Sequence, residues 1–287
     1  STPQPTEGSD NGYSCSVGSL LQGPWVGDIC PPGHYCPRGS ASPIPCGEGT
    51  FTPSYGNVAA ADCLACTPRF YCPNASIPNP VLLCTEGYYC PGGQVLPTHT
   101  CPKGFYCPTG VDDPIGCPAG EYQDEISQAT CKDCPAGFYC TGETVTPSPC
   151  PAGYYCPVRT SIATQHACPA STFSNRTQLR AESECQDCTP GHYCASTGLT
   201  APTGQCTMGY YCTLKAAVAA PMNGTTGNVC PRGHYCPTGS ASPIACAEGT
   251  FTPSYGNTEV SDCQSCTPRF YCPNASLAEP QLRCTEG

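Results

Sequence analysis

Four Cys-x2-Cys pairs, Cys63/Cys66, Cys131/Cys134, Cys185/Cys188 and Cys263/Cys266, have a spacing that suits zinc or dithiol chemistry. Zinc takes four ligands, normally from two such knuckles at compact spacing, in a reducing compartment. Here each pair stands among other cysteines in a Gly- and Pro-rich sequence, and no βαβ pattern surrounds it as a thioredoxin-like site would require. Neither chemistry is expected. His34, His192 and His234 each precede a motif tyrosine, where other copies carry Phe70, Tyr88, Phe105 or Tyr154. A position that accepts His, Phe and Tyr alike is a flat packing surface, not a ligand or a base. His99 and His166 are isolated, and no nucleophile, base and orienting group can be assembled. Asp112-Asp113 and Asp124-Glu125 fall in no calcium-loop pattern and do not recur, so they read as solvated turn residues. No catalytic, cofactor-binding or metal residue is expected, and the chain is not read as an enzyme.

Modification is the chemistry that remains. Asn74-Ala75-Ser76, Asn175-Arg176-Thr177, Asn223-Gly224-Thr225 and Asn274-Ala275-Ser276 are N-glycosylation sequons in apparent loops. Ser-Pro and Thr-Pro steps such as Ser42-Pro43-Ile44-Pro45 and Thr146-Pro147-Ser148-Pro149 favour extended linkers and resemble O-glycosylated or hydroxyproline-rich segments.

The scaffold behind these residues is set by composition. Of 287 residues, 30 are Cys, 35 Pro and 31 Gly, and the 39% hydrophobic share already counts the cysteines. Too few large aliphatics remain for one sizeable core. Cysteine above roughly 8–10% marks a scaffold in which cross-links replace burial, stable only in an oxidising, extracellular compartment. A net charge of −10 makes nucleic acid and anionic membranes poor partners. No run of eighteen apolar residues exists to insert in a membrane. No signal peptide stands at Ser1, so the mature chain is expected to begin after one, with any anchor outside this segment.

Repetition appears on two scales. Cys-x2-Gly-aromatic-Tyr-Cys recurs in ten copies ending at Cys36, Cys72, Cys90, Cys107, Cys140, Cys156, Cys194, Cys212, Cys236 and Cys272; two of them carry Arg69 and Arg269 for the Gly. An eleventh is degenerate, with Gly12-Tyr13-Ser14-Cys15 and Ser9 in place of its first Cys. Residues 30–87 return at 230–287 with fifteen differences in 58 positions, which implies duplication. Arg69/Arg269, Phe51/Phe251 and Tyr55/Tyr255 recur between the copies and are expected to be exposed contact residues. The second copy stops at Gly287, where the first runs on to Cys90, so further units are expected to follow. The organisation reads as a half-repeat at 1–29, a module with a short linker repeat at 30–100, a module at 101–149, a module with a short linker repeat at 150–229, and the duplicate at 230–287. Thr50-Phe51-Thr52, Glu121-Tyr122-Gln123, Thr172-Phe173-Ser174 and Thr250-Phe251-Thr252 have strand character, and each predicts a small hairpin with one aromatic anchor. Only Leu214–Ala220 suggests helix, before Pro221. The motif tyrosines are expected to cover neighbouring disulfides.

Spacing alone does not fix the pairing. Closure of each Cys-x5-Cys on itself strands Cys15 and Cys284. Forward pairing of each post-Tyr cysteine is favoured instead: Cys15–Cys30, Cys72–Cys84, Cys90–Cys101, Cys140–Cys150, Cys194–Cys206, Cys212–Cys230 and Cys272–Cys284. It leaves the quartets 36/46/63/66, 107/117/131/134, 156/168/185/188 and 236/246/263/266 with their internal pairings open.

Cys134-Pro135-Ala136-Gly137-Phe138-Tyr139-Cys140 and Cys117-Pro118-Ala119-Gly120-Glu121-Tyr122 resemble the ephrin-receptor-like cysteine-rich repeat, and more distantly that of tumour-necrosis-factor receptors. The resemblance runs from Gly12 to the end. Family repeats read Cys-Pro-x-Gly-Thr-Tyr-Ser, whereas most copies here place a second Cys at the Ser. This variant resembles repeats in large surface proteins of protists and algae, and that resemblance implies filaments, stalks or adhesins. The expected fold is a set of small disulfide-rich repeats forming an elongated, mostly irregular, short-β solenoid with almost no helix. The expected function is a structural segment of an extracellular glycosylated fibre or cell-surface appendage, with copies of itself or other matrix proteins as partners. The alternative is the spacer of a receptor or adhesin ectodomain.

Overall fold

In the computed structural model, described for residues 13–14, 28–40, 42–280 and 282–283, the chain is a succession of very short β-hairpins. Apart from the pair Tyr13–Ser14 with Asp28–Ile29, each begins at a Cys followed by a tight turn. In Pro31-Pro32-Gly33-His34 the N–H of His34 donates to Pro31 O at 3.2 Å, and Gly33 sits at φ 79°. That turn needs a left-handed third residue, which glycine supplies with least strain. The two residues after it form a strand, which pairs antiparallel with the dipeptide just before the next repeat's first cysteine. His34–Tyr35 pairs with Ile44–Pro45, and Phe70–Tyr71 with Leu82–Leu83. Fourteen such two-stranded sheets occur among the described residues. The repeat starting at Cys150 has a single bridge instead, Tyr154 to Ala167. Single 3-10 turns stand at 60–62, 182–184 and 260–262, with no α-helix among the described residues.

The pattern exposes repeats hidden in the sequence. Thr50–Phe51 pairs with Leu64–Ala65, Thr172–Phe173 with Gln186–Asp187, and Thr250–Phe251 with Gln264–Ser265. The two residues inside each Cys-x2-Cys are therefore the hairpin's second strand. Cys46, Cys117, Cys168 and Cys246 each open a full repeat, whose seventh residue is Thr52, Gln123, Ser174 or Thr252 in place of Cys.

Forward pairing of the cysteines is overturned. Cys30 bonds Cys36, and nine further Cys-x5-Cys rings close on themselves: 66–72, 84–90, 101–107, 134–140, 150–156, 188–194, 206–212, 230–236 and 266–272. The physical reason is the turn, which brings Cα atoms six residues apart to 5.9 Å at Cys30–Cys36, inside disulfide range. Where the seventh residue is not Cys, the first reaches forward: Cys46–Cys63, Cys117–Cys131, Cys168–Cys185 and Cys246–Cys263. These four pairs lie within the expected quartets, but the other two members of each quartet bond outside it. Cys15 and Cys284 lie outside the described residues.

The chain divides into two compact parts, 1–132 with 142–146, and 133–141 with 147–287. Within each, successive hairpins are joined by backbone hydrogen bonds in a constant register. The turn residue's N–H donates to the next hairpin: Gly33 to Thr52 O at 2.8 Å, Gly87 to Cys107 O at 2.8 Å, and in the second part Gly191 to Cys212 O at 2.9 Å. The residue after the strand does likewise, Cys36 to Asn57 O and Cys194 to Ala216 O. A residue in the tail donates backwards, as Gly56 does to Cys30 O and Gly239 to Cys206 O. The turn also abuts the hairpin after next. A Cβ on Gly104 would lie 2.6 Å from Glu143 O. Sheets too short to satisfy their own edges thus satisfy them on their neighbours.

The core is made of cysteines. Apart from them, the buried apolar residues among the described ones include Phe51, Leu179, Ala216, Pro221, Phe251 and Leu277. The motif tyrosines are half-buried, except the more exposed Tyr271, and so are the aromatic and histidine side chains before them. The helix expected at Leu214–Ala220 does not form. Lys215 adopts φ 62° and its N–H donates to Cys188 O, while Ala216 is buried against Cys206 and Cys212.

Candidate functional site

The four sequon asparagines are all exposed. Their surroundings differ. Asn223 Oδ1 accepts the N–H groups of Thr225 and Thr226 at 3.0 and 2.9 Å, and its Nδ2 donates to Thr226 Oγ1. The loop folds around its own amide and stays at the surface. Asn74 is different, because Ser76 of its sequon is built into the hairpin packing. Ser76 stands at φ 65°, donates its N–H to Cys46 O at 3.0 Å, and has Oγ 3.2 Å from His34 Nε2. In the second copy Ser276 has φ 66° and donates to Cys246 O at 3.1 Å. Asn175 follows Ser174, whose Oγ accepts the N–H of Arg176 at 3.2 Å.

Several other residues with chemical potential are held in packing or ion pairs, whereas Asp112 and Asp113 are exposed. Each Cys-x2-Cys sends its two sulfurs to different partners, Cys63 to Cys46 and Cys66 to Cys72. His34 and His234 turn Nδ1 toward backbone oxygens of Pro32 and Arg232 at 3.2 and 3.0 Å. His99 lies 5.2 Å from the Tyr89 ring, and His166 is stacked 5.4 Å from Tyr155. Asp124 and Glu125 share Lys132 at 2.7 and 3.3 Å. That ammonium holds Asp124 below the usual carboxylate range, and the Asp124 hydrogen bond raises Lys132 in turn. Asp262 is also lowered, by the N–H groups of Thr258 and Glu259 that it accepts at 2.7 and 3.1 Å. Burial raises the Tyr155 phenol, and the nearby Glu182 carboxylate adds to the effect. Among the described residues no three His, Cys, Asp or Glu side chains gather as a metal would require.

The duplicated stretches share surface, but not as expected at every position. Tyr55 and Tyr255 are 66% and 65% exposed, and Arg69 and Arg269 are exposed. Phe51 and Phe251, expected to face outward, are both buried to 7% exposure. Phe251 packs with Cys272, Leu277 and the half-buried Cys266, so it anchors one hairpin on the next. A shallow hollow between Asp187, Thr213, Lys215 and Thr225 is wide open and holds the exposed Lys215–Asp187 pair at 3.3 Å.

Sequence reasoning missed the four residues at the seventh position. Thr52, Gln123, Ser174 and Thr252 are no more than 2% exposed, each where a sulfur stands in other repeats. Asn57 Nδ2 donates to Thr52 Oγ1 at 3.1 Å, and Gln123 Nε2 donates to Thr130 O at 2.8 Å. The signal was the aligned Gly-x-aromatic step at Gly49-Thr50-Phe51 and Gly120-Glu121-Tyr122, whose aromatic takes the place of the motif tyrosine.

Among the described residues no helix is long and apolar enough to cross a membrane. The chain is a cysteine-rich, extensively disulfide-bonded protein of the extracellular type. Compared with protein-family models and with curated proteins, its sequence matches none.

Proposed function

We propose that this chain is a structural segment of an extracellular, glycosylated fibre or cell-surface appendage, that it is an elongated solenoid of the ephrin-receptor-like type, and that it is not an enzyme. The observation that supports this reading is the repeated hydrogen-bond register, in which each hairpin completes its neighbour. An array of this kind is limited in length only by the number of its repeats. The duplication adds a second support, because Tyr55 and Arg69 recur as Tyr255 and Arg269 on similarly folded loops. Contacts made through one copy are available again through the other, and repeated weak contacts gain by avidity. Glycans at the four exposed asparagines would keep the remaining faces hydrated.

Electron microscopy of native material tests the function. Regular fibres with an axial repeat set by the 200-residue offset are the expected result. Isolated stalks ending in a globular head would overturn it in favour of a receptor or adhesin spacer. Solution scattering tests the solenoid: a monomer near the ~19 Å radius of gyration of a compact chain this long would refute it.

A further inference from the structure

The fourteen disulfides among the described residues fall into two groups that differ in access. In all but one of the short rings both sulfurs lie inside the hairpin stack: Cys30, Cys36, Cys84, Cys90, Cys101 and Cys107 are at most 1% exposed. The four forward bridges are lopsided. Cys46, Cys117, Cys168 and Cys246 are at most 1% exposed, but their partners Cys63, Cys131, Cys185 and Cys263 are all half-buried. Three of those partners directly follow the 3-10 turns at 60–62, 182–184 and 260–262, none of which buries a residue. Segments of that kind open locally with little free-energy penalty.

Two consequences follow from exchange chemistry. A thiolate must reach one sulfur of the bridge, and reach it from outside. A short ring that does open also re-closes readily, because its two thiols stay six residues apart on one turn, whereas the 46–63 loop is longer.

We propose that Cys63, Cys131, Cys185 and Cys263 are thiol-exchange sites for a low-molecular-weight thiol or for an exposed cysteine thiolate of another chain. The incoming thiolate attacks Sγ of Cys63 and forms a mixed disulfide there. The Cys63–Cys46 bond breaks, its electron pair leaves on Cys46 Sγ, and water supplies the proton. No net oxidation occurs. The hairpin survives the step, because Thr52, not a sulfur, fills its seventh position and the backbone register does not involve the bridge.

The test uses the intact oxidised protein with reduced glutathione under native conditions, followed by alkylation of free thiols and peptide mapping. Glutathionyl adducts are expected on Cys63, Cys131, Cys185 and Cys263, with alkylation on Cys46, Cys117, Cys168 and Cys246. Cleavage of these four bridges should run about ten-fold or more ahead of any short ring, including Cys266–Cys272, whose Cys266 is also half-buried. Opening of a short ring first, opening of all fourteen together, or adducts on Cys46 instead of Cys63 would each overturn the proposal. Circular dichroism on the same samples shows whether the fold persists through the first step, and a concurrent loss of signal also counts against it.

Discussion

Arg69 donates from Nε to the backbone oxygen of Gly110 at 2.7 Å, two hairpins further along the chain. It does so from φ 78°, at the turn position that glycine holds in most repeats. A side chain at that position strains the backbone by about 1 kcal/mol, and the hydrogen bond offsets the strain. Arg69→Ala keeps the strain and removes the bond, so unfolding of the oxidised protein should cost about 1–2 kcal/mol less. Arg69→Gly removes both and should fall closer to wild type. Denaturant titration checks the order; an Ala variant as stable as wild type would show that the bond contributes nothing.

Thr52 occupies the place of a sulfur, so restoring one should redirect the pairing. The substitution Thr52→Cys puts a thiol six residues after Cys46, the spacing that brings the Cα atoms of Cys30 and Cys36 to 5.9 Å. Cys46 should bond to the introduced thiol and leave Cys63 free. Non-reducing peptide mapping reads this directly, and persistence of Cys46–Cys63 would show that the seventh position does not govern the choice.

The sequon hydroxyl of Ser76 is tied to His34, and its backbone to Cys46. Glycan transfer to Asn74 therefore has to occur before these hairpins close, whereas the self-contained loop at Asn223 remains available afterwards. In secretory expression, a mild reductant that delays bridge formation should raise occupancy at Asn74 and Asn274 and leave Asn223 unchanged. Site-resolved mass spectrometry gives the answer, and equal responses at all sites would contradict it.

Asp262 accepts two backbone N–H groups and is held below the usual carboxylate range. A group depressed on folding contributes stability that is present above its unfolded value, near pH ~4, and is lost as pH falls through the folded value. The oxidised protein should therefore weaken below about pH 4. Asp262→Asn should flatten the acid limb of the profile while costing well under ~1 kcal/mol at about pH 7, since the site is near the surface. A profile unchanged by the substitution would remove Asp262 from the account.

The strands at Thr50–Phe51, Glu121–Tyr122, Thr172–Phe173 and Thr250–Phe251 and the near-absence of helix were legible in the sequence, whereas the strand dipeptides of the short motif, such as His34–Tyr35, were not. The pairing was misread for a physical reason. Completeness at Cys15 and Cys284 outweighed the local turn, yet the turn alone brings the cysteines of Cys30–Cys36 within bonding range. Four repeats were hidden because their seventh residues, Thr52, Gln123, Ser174 and Thr252, are polar side chains buried where other repeats bury a sulfur. Phe51 recurs in both copies and so reads as a contact residue, but the packing of adjacent hairpins buries it. At the sequons the sequence shows the asparagine but not that Ser76 belongs to a contact with a residue 42 positions away.

The ring closures also decide how the chain would bear tension. A pull along the backbone at Cys30 passes to Cys36 through two sulfur atoms, so the residues between them carry almost no load and cannot unravel. Only the segments between rings can lengthen, and the 46–63, 117–131, 168–185 and 246–263 bridges shorten those further. Each intact forward bridge withholds slack of roughly 3.3–3.6 Å per enclosed residue. Stretched in an oxidising medium, the chain would behave as a short, stiff tether; with those four bonds exchanged, it would yield in four discrete steps.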